Sequence, residues 1–290
     1  MSQKTLSIVE QRDVNVTQST NNGIPILRIE HPQCHAALSL YAGHVLSWQP
    51  KGHSDVFWLS ENTHYQDGKA IRGGIPLCWP WFGAKEGEVN HGFARTSLWQ
   101  LTKVTSSDEG VEVVLTFEGD AKAATWPFAF KVTQTLFFGE EFSQTIDIAN
   151  TGEYDFEHDG ALHSYFSVSQ PEQTCVPELS QVRFFDKLDG SEKTKTLNDC
   201  RGPKDRIYFT HQDVQLLDYG LNRNIKLSAH GTSTWILWNP GTESADAMAD
   251  VHAGGEKEFV CLEAGFTEPL TLSAGDSVSI RQVIKVSHIS

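Results

Sequence analysis

Val111-Glu112-Val113-Val114-Leu115-Thr116-Phe117-Glu118 reads as a β-strand. Val111, Val113, Leu115 and Phe117 fall on one side of an extended chain, and Glu112, Val114, Thr116 and Glu118 on the other. The same period recurs downstream. Phe142, Gln144, Ile146 and Ile148 alternate with Ser143, Thr145 and Asp147. Val278 and Ile280 lead into Ile284 and Val286, opposite Ser277, Ser279, Arg281 and Lys285. Turn-forming residues bound these runs, as in Gly139-Glu140-Glu141, Asn150-Thr151-Gly152 and Ala274-Gly275-Asp276. Further strands are expected at 24–30, 36–48, 56–60, 97–106, 128–138, 160–169, 182–187, 223–230, 233–238 and 258–263. One short helix is expected over 243–251, with Thr242 or Ser244 as its N-cap. No strand–helix alternation and no phosphate-cradling glycine motif is present. The pattern predicts an all-β fold, a large antiparallel β-sandwich with few short helices, forming one domain over residues 1–290.

The composition narrows the function classes. The 290 residues include 8 Trp, 16 Phe and 6 Tyr, too aromatic for a disordered chain. A net charge of −14 argues against nucleic acid or an anionic membrane as partner. It leaves room for a small anion held by a local pair of arginines. No run approaches the ~20 apolar residues of a membrane helix, and the N-terminus lacks the apolar core of a signal peptide. Cys34, Cys78, Cys175, Cys200 and Cys261 are odd in number and form no CxxC pair, which reads as five reduced thiols in a cytoplasmic protein. A monomer is expected.

Several segments break the strand pattern. In RGGIPLCWPWFG (72–83), two glycines beside Arg72 suit backbone approaching a ligand, or a tight turn inside a buried, proline-stiffened crossover. Trp79, Trp81 and Phe82 suit either a sugar-packing wall or the core. HGFAR (91–95) follows an acidic loop and could line a pocket or simply end in solvent. In the strand containing LHSYF (162–166), His163, Tyr165 and Ser167 share a face. In CLEAG (261–265), Phe259, Cys261 and Glu263 share one. A carboxylate in an apolar strand is costly unless it is paired or reaches water. Beside a histidine it would make an acid–base pair. Asp205 in DRIY (205–208) reads by itself as a turn acid. His31 and His35 flank Cys34 with no second ligand pair, and His158 and His163 point to opposite faces of a strand, so no metal site is expected. No Gly-x-Ser-x-Gly nucleophile elbow occurs.

Taken in order, RGGIPLCWPWFG, HGFAR with Trp99, LHSYF, DRIY, WNP (238–240) and CLEAG resemble the hexose-6-phosphate mutarotases, the glucose-6-phosphate 1-epimerases of the aldose 1-epimerase superfamily. The resemblance runs from about residue 25 to about residue 287. It implies the galactose-mutarotase-like supersandwich and an isomerase that interconverts the α and β anomers of an aldohexose 6-phosphate. His163 matches the general acid that protonates the ring oxygen, and Glu263 matches the base that deprotonates the anomeric hydroxyl. Arg72 and Arg95 match substrate-binding arginines, and Asp205 matches a binding carboxylate. Asn90 stands where the family usually carries Gln, and His91 beside it is expected to touch substrate. No cofactor or metal is implied, and the partner is a small sugar phosphate. Rival readings are an aldose 1-epimerase of free sugars, a non-catalytic sugar-binding sandwich and a metal-dependent sugar isomerase. The two arginines favour a phosphorylated substrate. The His163–Glu263 combination disfavours a pure binder, and the scattered histidines disfavour the metal enzyme.

Overall fold

The period-two runs become three antiparallel sheets in the computed structural model, which describes residues 6–11, 13–120 and 126–289. An N-terminal five-stranded sheet runs in chain order through Leu6–Gln11, Val14–Asn21, Ile24–His31, Cys34–Ser39 and His44–Pro50. The second sheet has eight strands. Its middle is Arg223–His230, Ser277–His288, Glu141–Asn150, Phe130–Gly139 and Gly110–Gly119. The third also has eight, centred on Lys204–Tyr208, Thr234–Asn239, Phe259–Leu272 and Phe156–Leu162. The expected all-β antiparallel architecture is what forms.

Alternation then decides which side chains form the core. Val111, Val113 and Leu115 of the second sheet pack with Trp235, Leu237, Val260, Leu262 and Ala264 of the third in one buried cluster. Trp48, Leu38 and Val45 of the N-terminal sheet join it. The intervening residues of the third sheet point the other way. Asp205 pairs across to Trp238, Trp238 to Cys261, and Cys261 to Tyr165. In the next row Phe185 pairs with Ile207, Ile207 with Ile236, and Ile236 with Glu263. Directly opposed residues share a face, so these rows lie together on the face turned away from the core.

Several expected elements differ in detail. The run at 36–48 is two strands, because Ala42 and Gly43 adopt positive φ of 70° and 55° and reverse the chain. Residues 56–60 form only isolated bridges, Phe57 with Phe166 and Leu59 with Gly73. The run at 160–169 breaks at His163 and Ser164, between Phe156–Leu162 and Tyr165–Ser167. The strand at 258–263 continues to Leu272. The helix lies earlier, at Gly241–Asp246, and no side chain caps it. Thr242 donates its hydroxyl to Glu256 instead, while Asn239 Oδ1 accepts from the Gly241 N–H. Trp79 and Trp81 belong to the core.

Between the sheets runs a chain of buried amides. Gln134 donates to the Gly43 carbonyl at 2.6 Å, Gln144 to Gln134 at 2.8 Å, and Gln282 to Gln144 at 2.7 Å. The chain ends at the Ser164 hydroxyl, 3.4 Å from Gln282 Oε1. The core thereby grips the residue next to His163.

Candidate active site

Breaking the strand at residues 163–164 aims His163 at its neighbour across the sheet. Its backbone N–H bonds the Pro76 carbonyl at 3.0 Å, and the Ser164 carbonyl accepts from Leu262 at 3.2 Å. The His163 ring stacks on Tyr165 at 4.8 Å between centroids, with 12° between planes. Trp238 meets it edge-on at 5.9 Å. Nε2 of His163 lies 3.4 Å from Oε1 of Glu263. His163 is 7% exposed and Glu263 1%. Nδ1 of the first and Oε2 of the second have no hydrogen-bond partner. Buried polar atoms are rarely left so.

The pair sits in a cavity of about 630 Å³ whose wall also includes Arg72, Asn90, His91, Arg95 and Asp205. All seven residues picked out from the sequence therefore line one space. Phe82 lines it too, unlike the two core tryptophans beside it. Sequence reading missed Lys187, Trp238 and Met248 in the same wall. Lys187 follows the strand Arg183–Asp186, which lies beside Lys204–Tyr208, and its ammonium is 3.5 Å from Asp205, a cross-strand proximity that no local motif announces.

The two arginines are held differently. Arg72 is carried by Gly73 and Gly74, at φ of 108° and 61°. A Cβ at Gly73 would lie 2.4 Å from the Trp58 carbonyl oxygen, and one at Gly74 2.0 Å from that of Val45. Only glycine permits this approach. The Nε and Nη2 groups of Arg72 meet Asp250 Oδ2 at 3.1 and 3.0 Å, and Nη1 donates to the Tyr165 hydroxyl at 2.8 Å. Burial opposes the charge of Arg72, but Tyr165 and Asp250 hold it positive. Arg95 donates to the Asn90 carbonyl at 2.7 Å, and its Nε is buried without a partner. Among the described residues no carboxylate neutralises Arg95, so it is the more available cation.

His91, at φ 63°, accepts the Gly83 N–H on Nδ1 at 3.1 Å, which leaves Nε2 as a donor when the ring is neutral. Burial, then Arg95 and Lys187, push its pKa down to about 3. Burial also drives His163 well below its usual value, with His91 and Arg95 acting in the same direction. Burial drives Glu263 well above its usual value, Asp205 adding to the effect while Lys187 and Arg95 oppose it. Burial thus leans both members of the pair towards their uncharged forms. Asp205 is raised too, first by burial, against the pull of Lys187.

An antiparallel sandwich with a paired imidazole and carboxyl group at the floor of a cation-lined cavity fits the sugar epimerases, and comparison agrees. The model of the Aldose 1-epimerase family matches residues 25–285, and the chain belongs to that family. A relative from Salmonella typhimurium, named "Putative glucose-6-phosphate 1-epimerase", is 35% identical over 267 residues, covering 89% of this chain and 88% of the relative. One of the same name from Escherichia coli K12 is 34% identical over 292 residues, with 97% of each covered. The crystal structure of a "putative mutarotase (YeaD) from Salmonella typhimurium" superposes with a TM-score of 0.90 at 31% identity, covering 98% of this chain and 97% of that one.

Proposed function

We propose that the protein interconverts the α and β anomers of an aldohexose 6-phosphate, glucose 6-phosphate being the first to test. The observation that carries this reading is the His163–Glu263 pair, 3.4 Å apart at the floor of a cavity that also holds Arg95 and Lys187. Glu263, as carboxylate, takes the proton of the anomeric hydroxyl. His163, as imidazolium, gives a proton to the ring oxygen. The electron pair of the O–H bond becomes the second bond of the carbonyl, and the C1–O5 bond breaks with its pair going to O5. Rotation about C1–C2 presents the other face of the aldehyde. O5 attacks C1 while its proton returns to His163, and the new O1 takes the proton back from Glu263.

The burial of the pair bears directly on this sequence. The ion-pair form, His163 protonated and Glu263 ionised, holds the same single proton as the uncharged form. Ring opening converts the first into the second, because one group gains a proton and the other loses one. A desolvated floor that favours uncharged groups therefore favours the ring-opening step. The unpartnered Nδ1 and Oε2 leave hydrogen-bonding capacity at the floor. Arg95 and Lys187 supply charge for the phosphate, the guanidinium fork matching two phosphate oxygens. Arg72, already spent on Asp250 and Tyr165, orients the ring hydroxyls. Among the described residues no helix is long and apolar enough to cross a membrane, and a phosphorylated sugar fits the expected cytoplasmic setting.

The test is anomer exchange followed by NMR on glucose 6-phosphate and, side by side, on glucose. Faster exchange of the phosphorylated sugar supports the reading. Equal or faster exchange of glucose would move the free-sugar epimerase ahead.

A further inference from the structure

Behind the His163–Glu263 pair, in the buried cluster with Tyr165 and Phe259 and outside the cavity wall, lies a third polar side chain that the proposed reaction does not use. Cys261 precedes Glu263 by two residues on the strand Phe259–Leu272, so both side chains leave the same face. A ligating atom from each of His163, Cys261 and Glu263 lies within 4.8 Å of the other two. All three side chains are buried, Cys261 at 0% exposure. Cys261 is a free thiol, and His163 Nδ1 and Glu263 Oε2 are unpartnered.

We infer that His163, Cys261 and Glu263 form a binding site for a soft divalent cation of the zinc type, and that its occupancy inhibits the enzyme. Zinc bonds of ~2.0–2.3 Å to nitrogen, oxygen and sulfur place tetrahedral ligands roughly 3.4–3.6 Å apart. The 3.4 Å between His163 Nε2 and Glu263 Oε1 already matches that spacing. From the 4.8 Å limit, Cys261 Sγ would have to move in by at most about 1.2 Å to reach that spacing, within the reach of a side-chain rotation. Thiolate, imidazole and carboxylate are each zinc ligands, and three protein ligands leave the fourth position for water or a sugar hydroxyl.

The charges balance as well. A dication on a thiolate, a carboxylate and a neutral imidazole gives no net charge, the condition a desolvated site tolerates best. Binding displaces the thiol proton, and that of Glu263 where it is protonated, into solvent, so affinity rises with pH. The metal would occupy the lone pairs that catalysis needs on His163 and Glu263. It therefore blocks proton transfer and takes no part in it. The inference rests on the placement of three side chains and is read by metal binding, so it stands or falls apart from the choice of sugar.

The experiment uses the full chain freed of metal by chelator. Zinc should bind at one equivalent in equilibrium dialysis and suppress anomer exchange, and EDTA should restore it. Cobalt(II) added instead should give a near-ultraviolet thiolate charge-transfer band together with tetrahedral visible bands. In C261S and C261A, the charge-transfer band should vanish. The zinc concentration for half-inhibition, measured against each variant's own metal-free rate, should rise at least tenfold. E263Q should weaken cobalt binding while keeping some thiolate band. The inference is overturned if wild-type protein gives no charge-transfer band, if the band survives both cysteine substitutions, or if bound zinc leaves anomer exchange untouched.

Discussion

Gln134, Gln144 and Gln282 are buried as deeply as His163 and Glu263, yet the two groups are provisioned in opposite ways. None of the three amides has an unpartnered side-chain atom, and each hands a hydrogen bond to the next. The acid–base pair has two unpartnered atoms and faces a cavity. Burying a polar atom without a partner costs about 1–3 kcal/mol. The amide chain avoids that cost and stiffens the space between sheets. The pair bears it, and the unmet bonding capacity is what a ligand can satisfy. The degree of satisfaction, more than burial, separates the polar groups that hold this fold from those that work in it.

The sharpest way to break the comparison is to remove the pair. E263Q and H163N should each slow anomer exchange by roughly 10²-fold or more, the usual scale for general acid–base groups, with melting temperature little changed. Near-native exchange in both would end the assignment. Next in size is R95A, expected to lower kcat/KM for glucose 6-phosphate by roughly 10- to 10²-fold, the loss of a charge-assisted contact. Glucose should suffer less. R72A should harm both sugars alike, because Arg72 already has Asp250 and Tyr165 as partners. An equal loss on both sugars in R95A would remove it from phosphate recognition.

The amide chain should answer in the opposite currency. Q144L strips a partner from both Gln134 and Gln282 and should lower unfolding free energy by about 1–3 kcal/mol, while the folded protein keeps most of its rate. A large rate loss at unchanged stability would contradict the division drawn above.

The smallest effect concerns pH. His44 donates Nε2–H to the Gly73 carbonyl at 2.7 Å, and burial lowers its pKa from 6.5 to about 4. The unfolded chain therefore takes up the proton first as pH falls. The stability this group contributes is fully present well above pH 6.5 and is lost progressively as pH falls through about 6.5 and down to about 4. Between pH 7.5 and 6 the loss from His44 alone is roughly 0.8 kcal/mol. Denaturant midpoints at the two pH values should show it, and H44Q should flatten that slope.

Much of this was legible in the one-dimensional pattern, for identifiable reasons. Period-two alternation marks a strand wherever one face is buried, so Gly110–Gly119, Glu141–Asn150 and Arg223–His230 stand out. Glu263 is conspicuous as a carboxylate in an apolar strand, but the roles of His163, Glu263, Arg72, Arg95, Asn90, His91 and Asp205 are legible only through the ordered motifs that resemble the family. The turn at Ala42-Gly43 was missed because apolar residues continue through it on both sides. The break at His163 was invisible because it depends on bonds to Pro76 and Leu262, far away in the chain. The helix was misplaced because Thr242 spends its hydroxyl on Glu256 and does not cap. Lys187 and Asp250 join the site only through long-range register, with nothing local to distinguish them from surface charges.

The amide chain also has a direction. A backbone carbonyl can only accept, so the Gly43 oxygen compels Gln134 to turn its NH₂ group that way. That leaves Gln134 Oε1 to receive Gln144, and Gln144 Oε1 to receive Gln282. Gln282 faces Ser164 with both ends of its amide, Oε1 lying 3.4 Å and Nε2 3.3 Å from the serine oxygen. An orientation set at a turn of the N-terminal sheet is thereby carried to the residue beside the imidazole, and the Ser164 hydroxyl is engaged by the core amide. A glutamate at position 144, ionised, could only accept, and the relay of orientations would stop there.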